Sequence, residues 1–142
     1  MGSILLVESD PDTRDRLGTV LREANHEVLL AASTSEALLR IGEGGIDVVV
    51  IDSYDPRVGV TDLVRNMQTL PDTPPVVLVS ASPFAPEISA RVGVAAFLPK
   101  PLGLGELAEA VDRLVAHTRP VRLIEEDDFG DEEPTGRARL YG

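Results

Sequence analysis

Asp52 ends an unbroken apolar run, Val48-Val49-Val50-Ile51, and three other apolar segments of this 142-residue chain end on residues that could work beside it. Glu8, Ser9 and Asp10 follow Ile4-Leu5-Leu6-Val7. Ser80 follows Val76-Val77-Leu78-Val79, and Lys100 follows the segment Val94 to Leu98 and Pro99. If these runs are strands of one parallel sheet, their carboxyl ends share the rim where such sheets bind ligands. That rim would hold an acidic cluster, one hydroxyl and one ammonium. A carboxylate oxygen there can act as a nucleophile, including toward phosphorus, giving an acyl phosphate. An ammonium beside the acids lowers their mutual repulsion. Lys100 carries particular weight, because the other twelve basic side chains are all Arg. A forked guanidinium is a poor substitute where a compact point charge is wanted. Each residue also has a plainer explanation: an Asp leaving a strand into a polar turn, a solvated Lys, a Ser bonded to local backbone. Only their convergence argues against these.

The rest of the chain alternates strand-like and helix-like segments. Asp10-Pro11 reads as a helix N-cap with Pro at the first helical position, ahead of Leu17, Val20, Leu21 and Ala24 at helical spacing. Val28 to Ala31 is a second strand. Ser33 and Glu36 fit a capping box for a helix carrying Ala37, Leu38 and Ile41, ended by Gly42, Gly44 and Gly45. A third helix carries Leu63, Val64 and Met67, a weaker one spans Ala85 to Val92, and a last carries Leu104, Leu107, Val111, Leu114 and Val115. Continuous apolar strands alternating with helices predict an α/β fold, a doubly wound parallel sheet of five strands with helices on both faces. Pro99 cannot donate to a central ladder, so the fifth strand belongs at an edge.

Composition sets outer limits. The hydrophobic content of 43% is that of a globular chain, and no apolar run approaches the roughly 18 residues of a membrane span. Without Cys there are no disulfides, zinc-thiolate sites or thiol catalysis, and a cytoplasmic location is the default. Leu6 stands where a myristoylation signal needs Ser or Thr, so Gly2 is not read as a lipid site. The net charge of −11, with no basic stripe, argues against nucleic-acid binding. Residues 1–117 form the predicted domain. Residues 118–142, with seven acids against four Arg, read as an acidic and solvated tail in which Phe129 could anchor a partner.

Four segments, Ile4-Leu-Leu-Val-Glu-Ser-Asp-Pro11, Asp47-Val-Val-Val-Ile-Asp-Ser-Tyr-Asp-Pro56, Val76-Val-Leu-Val-Ser-Ala81 and Phe97-Leu-Pro-Lys-Pro-Leu102, resemble in order and spacing the signature blocks of response-regulator receiver domains. The resemblance covers about residues 3–117. It implies a CheY-like, flavodoxin-like strand order 2-1-3-4-5, with Asp52 as phosphoacceptor in two-component phosphorelay signalling. It makes Lys100 the phosphate-pairing ammonium, Ser80 and Phe97 the switch residues, and Pro101 the residue after a cis peptide bond. It implies a Mg2+ site built from Glu8, Asp52 and the Tyr54 backbone carbonyl. Ser9 departs from the pattern, standing where the family has a second acid. Asp10 is near, but its place before Pro11 suits capping. The usual Gly after the third strand is also shifted.

The resemblance further implies a sensor histidine kinase or phosphotransfer protein as donor. A switched surface on helix four, strand five and helix five would then engage a downstream protein partner, with a homodimer admissible. No DNA-binding segment follows within the 142 residues, so action is expected through a partner or within a longer protein. The alternative within the fold is a pseudo-receiver, an interaction module independent of phosphorylation. A turnover enzyme of the haloacid-dehalogenase kind is disfavoured, since Tyr54 occupies the position of its second acid. His26 and His117 have no catalytic company in the sequence and are expected at the surface.

Overall fold

The computed structural model describes residues 1–103 and 105–118. In chain order the elements are β1 (Ser3–Val7), α1 (Pro11–Glu23), β2 (Glu27–Ala31), α2 (Thr34–Gly42) and β3 (Val48–Asp52). Then come α3 (Val60–Met67), β4 (Val76–Ser80), α4 (Ala85–Val92), β5 (Ala96–Pro99) and α5 (Glu106–Thr118). The five strands form one parallel sheet of order β2-β1-β3-β4-β5. Pro99 therefore lies on an edge strand, where its missing N–H costs no ladder bond.

The twofold period of the strands divides the core into two layers. Leu5, Val7, Val49, Ile51, Val76 and Leu78 pack with residues of α2 and α3 and with Ala85 of α4. Ile4, Leu6, Val48, Val50, Val77 and Val79 pack with Leu21 of α1 and with Leu107, Ala110, Val111 and Val115 of α5. β1, β3 and β4 are buried on both faces, which is why their sequences are continuous apolar runs. Burying each Leu, Val or Ile contributes roughly 1.5–3 kcal/mol, so the strand ends are held by a stiff centre.

Local signals position the ends. The Asp10 carboxylate accepts from the Thr13 N–H at 2.9 Å and from its hydroxyl at 2.7 Å, which fixes the start of α1. Ser33 caps α2 by accepting from the Glu36 N–H at 3.1 Å, and the Glu36 carboxylate reaches back to the Ala32 N–H at 2.8 Å. The shifted glycine before α3, Gly59, takes φ 84°, and a Cβ there would stand 3.3 Å from the Thr34 side chain. α5 begins at Glu106. Leu104 and the acidic segment 119–142 lie outside the described residues.

One sequence expectation fails here. His117 is exposed, but His26 is only 6% exposed. The Gly2 N–H donates to His26 Nδ1 at 3.0 Å, which leaves the ring proton on Nε2, facing Asp112 Oδ1 of α5. Burial is affordable because both ring nitrogens have partners. Gly2 itself is buried, and a Cβ on it would lie 2.8 Å from Val115 Cγ2.

Candidate functional site at the carboxyl rim of the sheet

The strand order reverses between β1 and β3, β2 having been laid outside β1. Beyond a reversal of this kind the loops diverge and leave a crevice. Glu8 follows β1 there, Asp52 ends β3, Ser80 ends β4, and Lys100 follows β5. Glu8 is bonded into the frame by its N–H to the Ala31 carbonyl at 3.0 Å, and the Ser53 N–H bonds the Val79 carbonyl at 3.0 Å. The resulting cleft is lined by Glu8, Ser9, Asp10, Asp52, Tyr54 and Lys100, among others.

Asp52 is 8% exposed, and Lys100 Nζ lies 2.9 Å from its Oδ2. The contact has the length of a charge-assisted pair between an ammonium and a carboxylate oxygen. The Lys100 N–H also donates to the Ser80 carbonyl at 3.1 Å, tying β5 to β4 at this point, and the Lys100–Pro101 peptide bond is cis.

Glu8 is buried beside Asp52. Burial raises its carboxyl above the usual range; the Asp10 N–H opposes this, and the neighbouring Asp52 charge raises it further. That N–H lies 3.0 Å from Glu8 Oε2. Asp10 serves as the α1 cap, so its carboxylate, held below the usual range by the Thr13 hydroxyl and N–H, is turned to the helix. Ser9 is exposed, and the Tyr54 side chain is 97% exposed. Ser80 is 1% exposed, with its Oγ accepting the Ser82 N–H at 3.1 Å. Phe97 is half-buried against the α2–α3–α4 layer.

Two rim residues escaped sequence reasoning. Arg57 donates from Nε and Nη2 to the two Asp55 oxygens at 3.0 and 2.9 Å, and its guanidinium carbon lies 3.8 Å from the Phe84 ring centroid. This stack joins the β3–α3 loop to the β4–α4 loop across the cleft. The Asp55-Pro56-Arg57 spacing hints at the ion pair. Nothing local to Phe84 announces the stack.

The sequence matches the response regulator receiver domain family over residues 4–112. It is 32% identical over 136 residues to the DNA-binding transcriptional regulator NtrC of Rhizobium meliloti (strain 1021), covering 93% of this chain and 28% of that one. It is 31% identical over 119 residues to the response regulator MprA of Mycobacterium sp. (strain KMS), covering 82% and 52%. The chain thus spans about half the length of MprA and under a third of NtrC. Among solved structures, the receiver domain of the Francisella response regulator 1452 superposes with a TM-score of 0.74 at 25% identity, covering 84% of this chain and 100% of the other. Sheet order, rim chemistry and sequence agree: the chain belongs to the response regulator receiver domain family of two-component signalling.

Proposed function

We propose that Asp52 accepts a phosphoryl group and that this changes the surface the domain presents to a protein partner. One carboxylate oxygen of Asp52 attacks phosphorus. The phosphorus–nitrogen bond of a phosphohistidine on a sensor histidine kinase or phosphotransfer protein breaks, and the released imidazole nitrogen takes a proton from solvent. The observation that carries this reading is the buried Asp52 carboxylate at the rim, with the half-buried Lys100 Nζ 2.9 Å from its Oδ2. Lys100 offsets the Asp52 charge at rest and is placed to pair with the added phosphoryl oxygens. Ser80 supplies a hydroxyl at the same rim, and Phe97 is the neighbouring aromatic on β5 that repacks with it. The responding surface is α4, β5 and α5, a two-state element biased by a local charge change.

The donor set suits a hard, oxygen-seeking cation. Glu8, Asp52 and the Tyr54 carbonyl would hold Mg2+, water completing the coordination, with the Ser9 hydroxyl as a secondary candidate and Asp10 engaged instead as the α1 cap. Among the described residues no three acidic or His side chains converge on one metal position. When bound, Mg2+ neutralises phosphoryl charge. Glu8 would then act as a charged ligand rather than a proton-holding carboxyl.

The domain works by binding other proteins, either alone or as the receiver portion of a longer regulator; nucleic acid is not its own ligand. No described helix is long and apolar enough to cross a membrane, and a cytoplasmic setting accords with a kinase donor. The test is incubation with acetyl phosphate and Mg2+, read by intact mass, alongside beryllofluoride titration read by amide NMR. Wild-type protein is expected to gain one phosphoryl group and to shift amides in α4, β5 and α5. No response from the wild type would leave the pseudo-receiver, an interaction module built on the same fold and favoured by Ser9 in place of an acid.

A further inference from the structure

The Arg57–Phe84 stack continues inward. The Phe84 N–H donates to Ser82 Oγ at 3.1 Å, and the Ser82 N–H donates to Ser80 Oγ at 3.1 Å. Phe84 also occupies the N-cap position of α4, with no side-chain cap, and its carbonyl accepts from the Ile88 N–H at 3.1 Å. One connected path therefore runs from Asp55 through Arg57, Phe84 and Ser82 to the hydroxyl of Ser80. Its outer end is anchored by three bonds: the Arg57 fork is bidentate on Asp55, and the Arg57 N–H adds a third to Asp55 Oδ1 at 3.0 Å. Its inner end is the buried hydroxyl beside the phosphoryl site.

We propose that Arg57 is a positioning residue that, through Phe84 and Ser82, holds the Ser80 hydroxyl to its own loop and so restrains the resting state of the phosphoryl site. The proposal rests on the reading of Asp52 as phosphoryl acceptor. For the Ser80 oxygen to turn toward a phosphorylated Asp52, the Ser82 N–H must lose its acceptor or follow it, and a loop that follows must slide the Phe84 ring under the guanidinium. The stack is partly exposed, Phe84 being 42% accessible, so its strength is that of a surface cation–π contact. It is a brake of modest size, set on the loop rather than on the reacting atoms.

The test uses Arg57→Ala, Phe84→Ala and the double variant, with two measurements. In the resting protein, without phosphoryl donor, Arg57→Ala is expected to speed hydrogen exchange at the Ser82 amide by about two- to fivefold, the range of a surface cation–π contact. Amides of β1 and β3 should stay unchanged, which separates the brake from general destabilisation. In beryllofluoride titrations with Mg2+, Arg57→Ala is expected to bind about two- to fivefold more tightly than wild type. It should have no further effect in the Phe84→Ala background. Unchanged Ser82 exchange in Arg57→Ala would overturn the proposal, as would an equal affinity gain with and without Phe84, which would assign the effect to charge alone. A wild type that takes no beryllofluoride would sink the phosphoacceptor reading, while the exchange measurement still decides whether Arg57 holds the loop.

Discussion

The two ends of β1 lie about 13 Å apart by strand geometry, and they treat buried polar groups in opposite ways. At the amino rim every buried group named has been answered. His26 is bonded on both ring nitrogens, and the half-buried Ser3 N–H donates to Asp47 at 2.7 Å. At the carboxyl rim two buried carboxyls, Glu8 and Asp52, crowd one half-buried cation, Lys100, and Glu8 is kept from ionising at its usual pH. A His–Asp pair looks more like catalytic apparatus than a Glu–Asp–Lys cluster does, yet the satisfied pair is the structural one. Buried groups that fold against closed partners stabilise; those left open are available for chemistry.

The strongest way to break this contrast is Asp52→Asn. Labelling by acetyl phosphate, followed by intact mass, should vanish, while urea unfolding stays cooperative; persistent labelling would move the acceptor elsewhere. His26→Ala should do the reverse. It removes a buried ring and strands the Gly2 N–H, so urea titration should show a loss of about 2–4 kcal/mol. The labelling rate of the folded fraction should hold within about twofold, as for a surface change of a few tenths of a kcal/mol.

Ser9→Asp sharpens the contrast by adding ligand charge at the open rim. Mg2+ binding, followed by amide NMR, should tighten on the order of tenfold. The smallest effect is a slope. Because the folded-state Glu8 carboxyl is raised, the folded protein holds a proton that the unfolded chain has released. Without divalent cation, stability should therefore fall as pH rises from the ordinary carboxylate range through the raised value. Glu8→Gln should remove that part of the slope in unfolding measured with a chelator present.

Much of the fold was legible because its signals are local. Continuous short Val and Ile runs, β-branched and bounded by turn residues, read as strands covered on both faces, and Asp10-Pro11 and Ser33 with Glu36 mark helix starts by chemistry within one turn. The candidate site was legible for a related reason: strand ends are fixed by those runs, and parallel strands deliver their ends to one rim. His26 was misjudged because its partners lie 24 and 86 residues away, and its neighbours Asn25 and Glu27 suggest a solvated turn. The Arg57–Phe84 stack was missed for the same reason, its members belonging to two loops that only the sheet brings together.

The closeness of Gly2 to α5 governs how this domain can be joined to a carrier. Met1 is 81% exposed, so a purification handle or fluorescent protein can be attached ahead of it. A junction that replaces Gly2 with any other amino acid drives a carbon into Val115 and takes the wedge directly into α5. A sensor built from this domain should keep residue 2 as glycine and place its linker upstream, so that the reporter reads the rim and not the splice.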